Sequence, residues 1–280
     1  MAADSLDNPV WHALVGAHAG FAVGGGGARH YPRGIAPFSA IAEPTLATYA
    51  DLARDLPAGM AARLFRPRNE PTPQDWDTIS AHPIIQMVFD RSGSQTPHDM
   101  PARVLSLGRD DVPDMLTLAD ITRPGPFALR TIELGGYVGV RQAATRRLVA
   151  MGGERFRLSS HVELSAIAVH PDARGRGLGA AVTAHLTNSA LARGLVPFSR
   201  CFRATRRSSC TSGWGSANAP GFGFYGAGQS PMEPSDGGPA DRRITRAPSR
   251  LLWLAANPSQ SHLAVKLCEA QSTGPDPLSY

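Results

Sequence analysis

The segment His170-Pro171-Asp172-Ala173-Arg174-Gly175-Arg176-Gly177-Leu178-Gly179-Ala180 constrains this chain more than any other. It stands between an apolar stretch, Val162 to Val169, and a stretch whose apolar stripe (Leu178, Val182, Leu186, Ala190) has helical spacing and stops at Gly194. The order is therefore strand, glycine-rich loop, helix. Such a loop is an anion site, because the first helical N–H groups have no intrahelical acceptor and the helix dipole favours negative charge. Glycines let phosphate oxygens approach the backbone, and Arg174 and Arg176 add charge at the mouth. Gly175, Gly177 and Ala180 fit the G-x-G-x-x-A spacing of a dinucleotide fold, but that fold needs a ribose-binding carboxylate about 20 residues on. After Asp172 the next acidic residue is Glu233. A Walker loop fails too, since no Lys follows the glycines. What survives is a loop that takes a pyrophosphate without a ribose carboxylate.

The rest of the chain reads as alternating α/β structure. Helices are expected at Pro9–His18, Pro44–Asp55 and Met115–Ile121, the last started by Asp110, Asp111 and Pro113, with a short one near Arg130–Leu134. Strands are expected around Phe21–Val23 and at Ala61–Phe65, Ile84–Phe89, Val104–Leu107, Tyr137–Arg141, Leu148–Gly152 and Val162–Val169. In that last strand simple alternation puts Val162, Leu164, Ala166 and Ala168 on one face and Glu163, Ser165, Ile167 and Val169 on the other. The Gly24–Gly27 run reads as a turn, with no P-loop Lys or helix cap behind it. The Arg66–Pro73 stretch reads as a loop, and the Pro-punctuated stretch 92–101 as a domain boundary. An N-terminal lobe over 1–100 and a second domain over 103–200 follow.

Composition narrows function mainly by exclusion. The chain has 280 residues and 18% charged residues, and its basic complement is 27 Arg and one Lys, Lys266. An Arg-rich nucleic-acid binder is a rival reading, but this bias fits a GC-rich genome better than a phosphate-binding surface, and no nucleic-acid partner is expected. No apolar run is long enough to span a membrane, and Asp4 and Asp7 stand where a signal peptide would need positive charge, so a cytoplasmic protein with no membrane partner is expected. His161, His170 and His185 have no metal-ligand spacing, and no metal is expected.

Here the sequence resembles the GCN5-related N-acetyltransferases, the GNAT superfamily. Their coenzyme A loop, Q/R-x-x-G-x-G/A, is matched by Arg174, Gly177 and Gly179, after a strand ending in Val169-His170-Pro171. The resemblance covers about residues 103–200, and the region before it resembles the degenerate half of two-lobed members. It implies a mixed central sheet with helices on both faces and acetyl-CoA as cosubstrate. Ile167, Ala168 and Val169 would offer backbone groups to the pantetheine arm and the thioester, and Arg174, Gly175, Arg176, Gly177, Leu178, Gly179 and Ala180 would cradle the pyrophosphate. Glu163 takes either of two readings: the carboxylate that deprotonates the amine, often through water, or a strand-edge glutamate facing solvent. The implied reaction is acetyl transfer to an amine acceptor, small molecule or peptide, by direct attack. A non-catalytic coenzyme A-binding or regulatory protein is the alternative, and oligomeric state is not readable.

The resemblance breaks after the fifth strand begins at Val196-Pro197-Phe198. The family requires a following helix with a pattern like A-x-x-L-Y-E-R-L-G-F, whose Tyr is the usual general acid. Residues 201–240 instead show neither strand nor helix periodicity, and a disordered tail over 201–280 is expected. Joining the third base of each codon to the first two of the next, from Phe202 through Ala217, allows Pro-Gly-Asn-Ala-Ala-Val-Ile-Leu-(His or Tyr)-Glu-Arg-Leu-Gly-Phe-Arg. Trp214 and Gly215 leave no freedom, since the last base of TGG with the first two of a glycine codon gives Gly. The tail therefore reads as translated out of frame. All three cysteines (Cys201, Cys210, Cys268) and three of the five net positive charges lie in it, leaving a cysteine-free stretch of 200 residues before it. Without the missing helix the pantetheine slot would lose a wall, and acetyl-CoA binding by the chain as written is expected to be weak.

Overall fold

A computed structural model describes residues 5–57, 60–66, 70–89, 103–202, 223–225, 252–255 and 261–267. The expected boundary at 92–101 and most of the expected out-of-frame tail lie outside them. The first half runs α1 (Pro9–Leu14), β1 (Ala28–His30), β2 (Ser39–Ile41), α2 (Leu46–Asp55), β3 (Ala62–Arg66) and β4 (Trp76–Phe89). The second half runs β5 (Leu105–Leu107), α3 (Val112–Thr122), β6 (Tyr137–Arg141), β7 (Leu148–Arg157), β8 (His161–Val169), α4 (Leu178–Ala192) and β9 (Val196–Phe202). Beyond these, β10 (Gly223–Tyr225), β11 (Leu252–Ala255) and β12 (Ser261–Leu267) are short strands.

The main sheet is mixed, with order β10-β11-β4-β9-β8-β7-β6-β5, and β12 pairs with both β3 and β4. Its meander β5-β6-β7-β8 is antiparallel, and β9 returns parallel to β8 after α4. One face buries Val138, Val140, Leu164, Ile167 and Val169 against Val182 and Leu186 of α4. The other buries Leu107, Tyr137, Met151, Ala166 and Ala168 against Met115 and Leu118 of α3. Helices thus cover both faces of the mixed sheet. Because β4 pairs with β9 over Ile84–Val88 and Phe202–Phe198, the N-terminal half joins this sheet directly through main-chain hydrogen bonds.

Local chemistry accounts for most elements. Thr45 and Thr48 cap α2 reciprocally, each hydroxyl accepting from the other's N–H at 3.2 Å. Asp111 accepts from the Gly108 N–H at 2.8 Å, Pro113 sits in the first turn of α3, and Gly194 (φ 75°) turns the chain out of α4. The Gly24–Gly27 run is a turn, and two of its amides are already taken. Gly25 donates to Asp55 at 2.9 Å and Gly27 to Asp51 at 2.7 Å, so carboxylates of α2 fill the concavity a phosphate would need.

Several expected boundaries shift. The first helix is six residues rather than ten, and Ala19–Phe21 is a 3-10 turn followed by a single bridge, Val23 to His30, in place of a strand. The segment 131–134 is also 3-10. β4 begins at Trp76 rather than Ile84, and β7 runs on to Arg157.

The largest correction concerns β8. Between the pairs Met151–Ala168 and Gly153–Ser165, one residue of β7 opposes two of β8, a bulge in which Ala166 takes φ +54°. The bulge resets the alternation. Leu164, Ile167 and Val169 point to α4 together, while Ala166 and Ala168 point to α3. Glu163 therefore does not share a face with Ile167 and Val169, as strict alternation had it.

Candidate active site

Strands β8 and β9 pair in register only over His161–Val196, Val162–Pro197 and Glu163–Phe198. The Ser199 hydroxyl then donates to the Leu164 carbonyl at 3.0 Å, after which β9 follows β4 and the strands part. Among the described residues, Ser165–Val169 have a strand partner only on the β7 side. The sheet is forked at its centre, and the open edge belongs to Ile167, Ala168 and Val169. An open inner edge is a place for a ligand with amide groups to complete the ladder.

The fork leads to the loop. His170 Nδ1 accepts from the Asp172 N–H at 3.2 Å, closing a 3-10 turn at Pro171–Ala173. Gly175 (φ 75°) and Gly177 (φ 73°) both adopt left-handed backbone, which only glycine takes without strain. Gly177 caps α4 with no side chain in the way. The first bond of the helix runs from the Ala181 N–H to the Gly177 carbonyl, leaving Leu178, Gly179 and Ala180 ahead of it with outward amides. Arg174 Nε reaches the Val169 carbonyl at 3.4 Å and Arg176 Nη2 the Asp172 carbonyl at 3.2 Å, so both guanidiniums stay at the loop. Space beside Gly175 is open. The loop residues from Arg174 to Ala180 and the edge from Ile167 to Val169 thus form one continuous path. Gly152 permits it: a Cβ there would lie 2.4 Å from Ile167 Cδ1 and 2.7 Å from Val182 Cγ1, so its bareness lets α4 press onto the sheet.

Glu163 stands at the apex of the fork and is wholly buried. Between the pairs Glu154–Leu164 and Arg157–Val162, a bulge in β7 sets both Arg155 and Phe156 against it. Arg155 donates to it twice, from Nε and Nη2, each at 2.7 Å, and Arg200 Nε donates at 3.0 Å. Burial alone would raise its pKa, but the charges and hydrogen bonds of Arg155 and Arg200 outweigh burial and bring it down to about 2. The solvent-facing reading of Glu163 is thereby corrected. Aromatic rings wall the cluster: Arg200 lies 3.7 Å from the centre of Phe65, and Arg155 lies 5.0 Å from Phe38 and 5.1 Å from Phe156. Tyr31 stacks on Phe156 and its hydroxyl meets His18 Nδ1 at 2.8 Å; burial lowers the His18 pKa to about 4 and keeps the ring neutral. Sequence reading missed Arg155 and Arg200, since charged residues in strands carry no periodic signal of pairing, and Tyr31 and His18, which lie in connecting segments with no periodicity to read. A cavity of about 380 Å³, lined by Glu133, Tyr137, Glu154, His185 and Ser189 among others, lies along the third turn of α4 rather than at its N-terminus.

Among the described residues no cluster of His, Cys, Asp and Glu has the makings of a metal site, and no helix is long and apolar enough to cross a membrane. A family model described as FR47-like protein matches residues 137–209. A solved structure from Novosphingobium aromaticivorans, assigned to the GNAT family of acetyltransferases, is 32% identical, with 73% of this chain and 89% of that one covered and a TM-score of 0.65. A GCN5-related N-acetyltransferase from Kribbella flavida, 13% identical, shares the fold over 93% of this chain and 97% of its own, with a TM-score of 0.52. No curated protein matches the chain.

Proposed function

The chain belongs to the GNAT family of acetyltransferases, and from that premise we propose that it transfers an acetyl group from acetyl-CoA to an amine by direct attack. The observation that carries this reading is the fork between β8 and β9 running into the glycine cap of α4. It is a strand edge and a row of free amides in series, matched to an extended amide-bearing arm that ends in a pyrophosphate. Amides of Ile167, Ala168 and Val169 would hold the arm and polarise the thioester oxygen, a device worth roughly a hundred- to a thousandfold in rate. Arg174, Gly175, Arg176, Gly177, Leu178, Gly179 and Ala180 would hold the phosphates.

In this reaction the amine nitrogen bonds to the thioester carbon, the carbon–sulfur bond breaks, and the leaving thiolate takes up the proton the amine gives up. Glu163 is engaged on both oxygens by guanidinium groups, so we assign it the positioning of Arg155 and Arg200 rather than removal of that proton. The amine then arrives neutral from solution. The test is release of free thiol from acetyl-CoA against a panel of amines. Amine-dependent release supports the reading; tight acetyl-CoA binding without release, unaffected by Glu163→Gln, supports the non-catalytic alternative.

A further inference from the structure

The cluster at the fork carries polar groups that its own chain leaves unused. Arg200 spends only Nε on Glu163, and among the described residues its Nη1 and Nη2 are buried with no hydrogen-bond partner, on a side chain 2% exposed. Directly opposite in the β4–β9 register stands Gln86, 1% exposed. Its Nε2 donates to the Leu6 carbonyl at 3.1 Å, which fixes the amide orientation and leaves Oε1 buried and without a donor among the described residues. Buried donors and a buried acceptor without partners are costly, more so for a charged group, and persist in native proteins where something else completes them. The surrounding charge has a sign. Two guanidiniums face one carboxylate, so the cluster has an unmatched positive charge. The groups that face Arg200 from its neighbours are Glu163 and Arg155, with Tyr31 across and Phe65 stacked on its plane.

Resting on the acetyl-transfer reading, we propose that Arg200 and Gln86 select the acceptor: an amine that carries a carboxylate close to its nitrogen, as an amino acid does. The free end of the Arg200 guanidinium is a two-pronged donor, the geometry that a carboxylate accepts in bidentate fashion. Gln86 Oε1 accepts an N–H of the neutral amine and leaves its lone pair for the thioester carbon. Arg200, which pairs with Gln86, follows Ser199, whose hydroxyl donates to the Leu164 carbonyl at the apex of the fork, so an acceptor held by the pair would lie near the start of the open β8 edge. Glu163 neutralises Arg155 and fixes Arg200 through Nε, which leaves Nη1 and Nη2 pointing away from it.

The test uses the full chain in two arms. Calorimetric titration of coenzyme A-loaded protein compares N-acetylated amino acids, with small, apolar, acidic and basic side chains, against the N-acetylated amines that lack only the carboxylate. A preference of about 10- to 100-fold for the carboxylates is expected, the worth of a charge-assisted hydrogen bond. Thiol release compares the free amino acids with their decarboxylated amines. Arg200→Met should abolish the preference in both arms, while Arg200→Lys, which keeps the charge but not the fork, should retain part of it and report on folding. No preference in titration with the unaltered chain overturns the inference, as does a preference that Arg200→Met leaves intact; in that case a buried water bridging Gln86 and Arg200 satisfies both. Thiol release that is equal for all amines overturns it while leaving acetyl transfer standing. Carboxylate-selective binding without any thiol release supports the site and overturns acetyl transfer.

Discussion

Arg155 of β7 and Glu163 of β8 meet through two parallel hydrogen bonds of 2.7 Å, across a bulge that places Arg155 and Phe156 against one residue of the neighbouring strand. The pair is buried, and Arg200 closes it from the other side. Charge removed from such a cluster is not replaced by water.

Glu163→Gln should therefore destabilise the protein by about 3–5 kcal/mol, the range for breaking a buried pair from one side. Urea unfolding at pH 7 measures it. A loss under 1 kcal/mol would mean that the cluster is hydrated and the buried-pair reading wrong.

The same carboxylate sets an acid limit. Its pKa in the folded protein, about 2, lies below its ordinary value, so its contribution is fully present above the ordinary carboxylate range and is lost as pH falls toward 2. The stability difference between the parent and Glu163→Gln should be constant from pH 7 to about 5 and shrink between about pH 4.5 and 2. A difference that instead grows as pH falls from about 8 to 5 would show a raised pKa and restore Glu163 as a base.

If Glu163 does not take the proton, the rate follows the supply of neutral amine. The logarithm of kcat/KM should rise with unit slope up to the acceptor's own pKa, with no break near neutrality. A break that shifts when the amine is exchanged for one of different pKa confirms this. A break fixed for every amine and removed by Glu163→Gln contradicts it.

Gly177→Val places a branched side chain at φ 73°, at the cap whose bareness exposes the first amides of α4. Acetyl-CoA affinity should fall at least about tenfold, with loss of one or two phosphate contacts. Gly152→Val crowds Ile167 of the open edge and Val182 of α4, so it should cost about 1–3 kcal/mol of stability, and acetyl-CoA affinity with it. Calorimetry and thermal melts separate the two effects.

The frame argument concerns the gene rather than the fold. The Arg203 codon should end in G, because the implied Gly requires it, and one base restored near codons 197–201 should tighten acetyl-CoA binding at least tenfold. Sequencing that region checks the first claim, and titration of both chains checks the second. An Arg203 codon ending otherwise removes the argument.

The order of elements from β5 to β9 was legible because each boundary carries local chemistry: Asp111 and Pro113 at the start of α3, Gly194 at the end of α4, and the glycines of the loop between. The conformation of the loop could be read because glycine reports backbone conformation. The apex of the fork could not. Whether Glu163 faces solvent or two arginines depends on Arg155 and Arg200, 8 and 37 residues away in sequence, and on two bulges that shift register by a residue each. No periodicity announces a bulge at an alanine, so simple alternation put Glu163 on the wrong face. The extent of β4 was hidden for a related reason: the strand was expected only from Ile84, yet Thr78 and Ser80 pair with Val265 and Ala264, from a stretch in which no strand was expected.

The fork also bears on self-association. An unpaired strand edge in the middle of a sheet is the template on which other strands add, and most proteins protect such edges. If acetyl-CoA lies in the fork as proposed, it would double as the missing strand. Stored without it, the protein should associate through Ser165–Val169 as concentration rises, and the cosubstrate should keep it apart.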